Sequence, residues 1–298
     1  MNETAVQERI VSSFRATRGR RRTANIVFFI AVTFCAFTVL LPLFSILSHL
    51  LTQGLRSINV DFLIRLPKPV GEPGGGMANA IVGSLILLCI AVLVGVPIGL
   101  GAGIYMSEYA SSRFASMVRF VTDVMNGIPS IVYGMFAYAV FVLPMRSFSA
   151  LSGGAALGIM MVPIVTRTTE EFVGAVPQSL REAGLALGAP KWRVTLDIVL
   201  TSAMSGIVTG IMVALARVAG ETAPLLFTAF GNHFWHSSLT EPIAALPLQI
   251  FAYAISPFDD WHRQAWAGAL VLISIIFVVN LFANRYAIRQ SHASHVKR

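Results

Sequence analysis

Six long apolar runs, roughly 25–51, 79–107, 120–144, 150–166, 203–229 and 266–284, constrain this chain more than any other feature. The hydrocarbon core of a bilayer is about 30 Å thick, so a helix needs about twenty mainly apolar residues to cross it. The run 150–166 is the shortest and is rich in glycine (Gly153, Gly154, Gly158). Inside hydrocarbon every backbone amide must be satisfied within its own segment, which makes each run a helix. Composition agrees: 55% of the residues are hydrophobic and only 12% charged, where a soluble domain carries roughly 25% charged residues. The expected fold is all-α and integral to the membrane, one polytopic bundle of six transmembrane helices.

The net charge of +8 would suit nucleic acid, but its distribution points elsewhere. Arg18, Arg20, Arg21 and Arg22 immediately precede the first run, and Arg285, Arg289, Lys297 and Arg298 follow the last. With the N-terminus inside and six alternating spans, inside segments hold 16 of the 22 Lys+Arg and outside loops hold 5, leaving Arg217 within a span. That asymmetry is the positive-inside pattern and predicts that both termini are cytoplasmic. The first run is too long for a signal peptide and lacks a small-residue cleavage site, so it reads as an uncleaved span. Cys35 and Cys89 lie within apolar runs and read as small core residues, not a disulfide. A turn-rich stretch, Gly71-Glu72-Pro73-Gly74-Gly75-Gly76, sets the first span apart. The expected organisation is a basic arm 1–24, a first helix 25–51, an external loop 52–78, a core 79–285 and a tail 286–298.

Between the fourth and fifth runs lies a polar segment, roughly 167–200. Pro177 suits a first helical position, and Leu180, Ala183, Gly184 and Leu187 share a face at i, i+3, i+4, i+7. Gly188 can take the left-handed conformation that ends a helix, and Pro190 blocks continuation. A second helix starts near Lys191, with Trp192, Leu196 and Val199 on its apolar face. Glu182 is placed to meet donors on another protein. Two such helices on the inner face either lie on lipid or dock a partner.

The fifth run carries Arg217 near its midpoint, followed by Val218-Ala219-Gly220-Glu221-Thr222-Ala223-Pro224. An Arg at that depth costs roughly 3 kcal/mol on insertion scales, so it must face the bundle interior or a wet cavity. Glu221, four residues on, lies on the same face of a continuous helix. The pair either neutralises itself and locks the packing or serves an anion. A guanidinium fork matches phosphate oxygens, and a nearby carboxylate would keep binding transient. Thr222 and Thr209 would add neutral donors, and Gly220 would permit close approach.

In the third run, Gly127-Ile128-Pro129-Ser130 interrupts the helix. Pro129 frees a carbonyl that Ser130 or a neighbour would satisfy. Such a break either belongs to a transport pathway or is a structural kink. Asp123 and Asn126, in the turns before it, would reach the cytoplasmic mouth. Gly95, Gly99, Gly101 and Gly103 around Pro97 predict a tight packing face. Leu246 to Tyr253 is too short to span and predicts a helix at the membrane surface.

The chain has no Gly-x-x-x-x-Gly-Lys-Ser/Thr loop and only three lysines, so no nucleotide site is visible in it. No nucleophile–base arrangement occurs, and His233 and His236 lack the further ligands a zinc site needs. The chain is therefore expected to be no enzyme by itself and to hold no metal.

These residues resemble a known family. Glu182, Ala183, Gly188, Ile198 and Leu200 match the spacing of the EAA loop of ABC-importer permeases. Gly184 stands in place of its second Ala, loosening the helix by about 1 kcal/mol, and Thr201 in place of its Pro. Arg217 to Pro224, and Asn126 to Gly134, look like the signatures of the PstA family of phosphate-importer permeases. The resemblance covers roughly residues 79–285. It implies a type I ABC-importer permease bundle that imports inorganic phosphate by alternating access in the bacterial cytoplasmic (inner) membrane. It also implies a PstC-like second permease, a PstB-like ATPase dimer holding the ATP and Mg, and a PstS-like external phosphate-binding protein. Arg217, Glu221 and Thr222 would line the substrate pathway. Glu182, Ala183, Gly184 and Gly188 would couple to the ATPase, and Gly127, Pro129 and Ser130 would form the helix break. Three rival readings stand: a regulatory membrane protein that reports transporter state to a signalling partner, import of another oxyanion such as sulfate or molybdate, and an ion-gradient-coupled transporter using Glu221 as proton carrier. The gradient-coupled reading leaves the EAA loop unexplained.

Overall fold

The computed structural model describes the backbone of residues 3–69, 72 and 74–296, and the side chains of 21–22, 24–69, 72, 74–283 and 285. The side chains of Arg18, Arg20 and Arg289, and all of Gly71, Pro73, Lys297 and Arg298, lie outside the described residues. Among the described residues the chain is almost wholly helical: α1 Glu3–Ser57, α2 Val60–Ile64, α3 Ala78–Glu108, α4 Arg113–Gly127, α5 Ser130–Ala137, α6 Leu143–Met145, α7 Ala150–Gly174, α8 Gln178–Ala186, α9 Lys191–Val194, α10 Thr201–Ala219, α11 Ala223–Thr228, α12 Leu246–Ala254 and α13 Asp259–Val296. A π-helical turn, Tyr138–Val142, carries α5 into α6, and another, Thr195–Leu200, carries α9 into α10.

The chain divides into two compact units, residues 1–52 and 53–298. In the first, Phe28, Phe29, Phe34, Val39 and Phe44 are all exposed. A helix apolar all round its circumference suits lipid contact.

In the second unit α3 and α7 form the centre, and glycine lets them touch. A Cβ built on Gly153 would meet Leu87, one on Gly154 would meet Ile90, one on Gly158 would meet Val94, and one on Gly103 would meet Thr166. Residue numbers rise together along this contact, so the two helices run parallel. Two parallel neighbours require the chain between them to return across the full thickness. The α4 to α6 segment, bent by 107° at its break, is therefore one crossing, and with the five other helices long and apolar enough to cross the total among the described residues is six.

The structure corrects three expected spans. The run 120–144 carries the expected break between Gly127 and Ser130, but it begins earlier, with α4 opening at Arg113. The run 150–166 extends to Gly174 and is the most buried span, since its glycines admit neighbours on several sides. The run 203–229 is not continuous, because α10 stops at Ala219. Cys35 and Cys89 are free but exposed, not core.

Gly95, Gly99 and Gly103 form the predicted packing face, whereas Gly101 meets nothing within 4 Å. On Gly95 a Cβ would lie 2.7 Å from the Gly158 carbonyl oxygen and 2.8 Å from Met161 Cβ. Gly95→Ala must push the helices apart, at a cost of about 1–3 kcal/mol. Gly101→Ala should be neutral or gain about 1 kcal/mol of helix propensity. Thermal unfolding of the purified transporter checks this: the melting temperature should fall for the first variant and not for the second.

At the end of the bundle where α3 and α7 start, residues 230–245 close over their N-termini. Ala150 and Leu151 donate their N–H groups to the carbonyls of Glu241 and Leu239 (both 3.1 Å), and Asn79 donates to the Asn232 carbonyl (2.6 Å). Ser237 donates through its hydroxyl (2.7 Å) and amide (3.3 Å) to Glu241, holding that carboxyl below its usual range. The segment expected as a surface helix forms α12, but it is built into the core. Leu246, Pro247, Leu248, Gln249 and Tyr253 are buried, and the Leu246 amide donates to Ser84 Oγ (2.7 Å).

Candidate functional site

The helix break is a consequence of local chemistry. Pro129 has no N–H, so the Met125 carbonyl four residues earlier loses its helical donor. Ile128 N–H (3.1 Å) and the Tyr133 hydroxyl (2.7 Å) donate to it instead. The donor that replaces the lost one is thus Tyr133 rather than Ser130. Tyr133 itself is buried, and this bond holds the two arms of the bend together.

Beside the break stands Arg217, in the last turn of α10, where a cation suits the exposed carbonyl ends. It shares a small pocket with Asn126, Ile128, Tyr133, Met160 and Pro163. Its side chain is exposed in the single chain. The structure overturns the expectation that Glu221 shares its helical face. Gly220 caps α10, Glu221 N–H turns back to the Val218 carbonyl (3.2 Å), and a new helix starts at Ala223 with Pro224 in its first turn. Among the described residues Arg217 makes no ion pair with Glu221, so mutual neutralisation is not how this charge is accommodated. Thr222 spends its carbonyl on the amides of Leu225 and Leu226, while Thr209 donates to the Ser205 carbonyl (2.9 Å).

The two sequence signatures meet here. A Cβ on Gly134 would lie 2.8 Å from Pro224 Cα, so the outer arm of the break rests directly on the turn after Arg217. Asn126 borders the Arg217 pocket, but Asp123 is engaged elsewhere. Its Oδ1 lies 3.3 Å from Arg167, which also pairs with Glu170 (2.8 Å). Glu170 in turn takes Arg119 from α4 (2.6 Å). This network ties α4 to α7 and was not read from the sequence.

The second part of the site is the helical pair α8 and α9. Their boundaries follow the predicted signals: Gly188 adopts φ +82°, and Lys191 opens α9 after Pro190. Gly184 is buried, and a Cβ there would approach Ile198 Cδ1 (2.7 Å) and Val194 Cγ2 (3.0 Å). The glycine in place of alanine therefore lets the two short helices close on each other. The predicted apolar faces need correction. Leu180 is half-buried and Gly184 and Val199 are buried as expected, but Ala183, Leu187, Trp192 and Leu196 are exposed, and the second helix also buries Val194 and Thr195. Glu182 is exposed on α8, and Leu185, Leu187 and Trp192 of the same helical pair are exposed too, apolar side chains of the kind that meet a protein partner.

Arg181, adjacent to Glu182, turns the other way. Its guanidinium lies 3.2 Å from Glu108 Oε1 and donates to the carbonyls of Val173 (2.8 Å) and Val176. Lys191 donates to the Glu108 carbonyl (2.9 Å) and sits 4.0 Å over the Tyr109 ring. Partners so distant in the chain leave no periodic signal.

The chain is similar to known proteins. Residues 95–292 match the family described as binding-protein-dependent transport system inner membrane component. Similar curated proteins include the phosphate transport system permease protein PstA of Yersinia pestis, 43% identical over 92% of each chain. Another is the probable phosphate transport system permease protein PstA of Methanocaldococcus jannaschii, 37% identical over 88% of this chain and 93% of that one. Among solved structures, an inward-facing MetNI methionine ABC transporter superposes with a TM-score of 0.58 at 16% identity, over 72% of this chain and 97% of that chain. The expected all-α importer-permease fold is the observed one.

Proposed function

Because the chain belongs to the family of binding-protein-dependent transport system inner membrane components, we propose that it is the permease subunit through which an ATP-driven importer carries inorganic phosphate across the bacterial cytoplasmic (inner) membrane. The observation that carries this reading is the placement of Arg217. A guanidinium at the end of a spanning helix, with no ion pair to Glu221 and facing a broken helix, needs an anion or water to offset its cost. A tetrahedral oxyanion fits its forked donors, and the similar curated proteins are phosphate transport permeases.

In this reading the face that leaves Arg217 exposed is covered by a PstC-like permease, so that the anion passes between two chains. Glu221 and Thr222 border the pathway beyond α10. A PstS-like protein delivers phosphate at the 230–245 face, and a PstB-like ATPase dimer docks on Glu182, Ala183 and those exposed apolar side chains. ATP and Mg belong to that dimer, and this chain hydrolyses nothing. ATPase closure moves α8 and α9. Since α9 continues into α10 through a π-helical turn, the motion reaches Arg217.

Uptake of labelled phosphate in a strain lacking this gene, complemented with the wild-type chain, tests the reading. Uptake should return, resist excess sulfate and molybdate, and persist under an uncoupler while ATP is maintained. No recovery of phosphate uptake would mean another cargo, and collapse under the uncoupler would favour gradient coupling.

A further inference from the structure

Resting on that reading, we infer that Glu108 is the positioning residue that passes movement of the docking helices into α4, and so to the helix break facing Arg217. Glu108 is the last residue of α3, and both docking helices grip it. Arg181 of α8 holds its carboxylate with Nε and Nη2, each at 3.2 Å. Lys191, the first residue of α9, holds its carbonyl at 2.9 Å. The carboxylate is nearly buried, its side chain only 7% exposed and that of Arg181 15%. A charge pair so enclosed cannot be loosened cheaply, since each partner would be left buried and unpaired. The grip also reaches α7, because the same guanidinium donates to the Val173 and Val176 carbonyls.

From Glu108 the connection to α4 has little slack. The turn Tyr109 to Ser112 is closed by the Ser112 amide on the Tyr109 carbonyl (2.9 Å), and Ser112 Oγ caps α4 by accepting from Ala115 N–H (2.9 Å). Tyr105 stacks on Tyr109 with centroids 5.1 Å apart and meets Phe114 edge-on at 5.4 Å. These rings bind the end of α3 to the start of α4. From Arg113 the helix runs about 20 Å at 1.5 Å per residue to Asn126, which borders the Arg217 pocket with Ile128 just beyond. The docking helices thus address both walls of one pocket: through α10 they move Arg217, and through Glu108 they move the broken helix opposite. Loss of the second route would leave hydrolysis running while the pocket opens incompletely.

The test is the number of phosphates imported per ATP hydrolysed by the complete transporter, with its partner permease, ATPase and binding protein, in proteoliposomes. Glu108→Gln keeps shape and removes charge. It should assemble and hydrolyse ATP, yet the ratio should fall by about fivefold or more, the usual scale of coupling between sites. Arg181→Gln should fall similarly, and the double variant should be no worse than either single one, as expected for partners acting through one bond. Lys191→Gln, altering an exposed side chain, should lower the ratio in the same direction. A wild-type ratio in Glu108→Gln, or losses that multiply in the double variant, would overturn the inference. Should Glu108→Gln fail to assemble, a wild-type ratio in Lys191→Gln would overturn it equally. Failure of the phosphate reading is distinguishable. Wild-type proteoliposomes would then import no phosphate, and the same ratio would be read with the oxyanion they do import.

Discussion

Replacing Arg217 with Gln should lower phosphate uptake about a hundredfold while leaving the permease inserted and assembled. Arg217 is exposed in the single chain and, among the described residues, makes no ion pair with Glu221, so its removal strands no buried carboxylate there. On the proposed reading, what it removes is a forked donor for the anion. Hydrogen bonds to charged groups contribute about 1.5–3 kcal/mol each, so losing two of them weakens the pathway by about 3 kcal/mol, a factor of about 100. Arg217→Lys keeps the charge but not the fork and should recover only part of the rate. Initial uptake rates at matched membrane levels decide the matter. A rate for Arg217→Gln within twofold of wild type would remove this residue from the pathway. Glu221→Gln should have the smaller effect, because the end of α10 at Gly220 takes Glu221 off the helical face that Arg217 occupies.

The features that the sequence predicted well are those whose cause lies within a few residues of their effect. The αL turn at Gly188 and the break at Pro129 each follow from local geometry, and the structure has both. The packing face of α3 was nearly legible, since Gly95, Gly99 and Gly103 repeat at helical spacing; Gly101, off that spacing, points into open space. Errors arose where tertiary context decides. Reading 203–229 as one helix made Arg217 and Glu221 neighbours, yet Gly220 ends the helix there and Pro224 helps start another. Nothing local identifies Tyr133 as the donor to Met125, because the bend brings it back across eight residues. The Glu108–Arg181 pair spans 73 residues and requires the parallel packing of α3 and α7 to form. The expected apolar faces of α8 and α9 hold only at Leu180, Gly184 and Val199, for a different reason. Periodicity finds an apolar stripe but not its destination, and Leu187 and Trp192 point away from this chain.

That outward stripe makes Glu182→Lys the second variant of large effect. It should abolish uptake and prevent the ATPase from co-purifying with the permease, without changing permease levels in the membrane. Glu182 is exposed on α8, and its neighbour Arg181 is turned inward onto Glu108, so the charge α8 offers a partner is a carboxylate. Reversing a charge that meets donors across an interface brings like charges together and costs several kcal/mol. An affinity loss of 100-fold or more is expected, since every 1.4 kcal/mol is about tenfold. The exposed pair Arg193–Asp197 (3.3 Å) supplies the control. Ion pairs so open contribute little, and Asp197→Asn should transport nearly as well as wild type. The variant also separates the two fates open to an amphipathic helix on the inner face. A helix lying on anionic lipid gains from an added lysine, so Glu182→Lys would then be neutral or favourable. A helix docked on a protein through its carboxylate loses its contact. The two cases predict opposite signs for one substitution, and normal uptake by Glu182→Lys would rule out docking through this face.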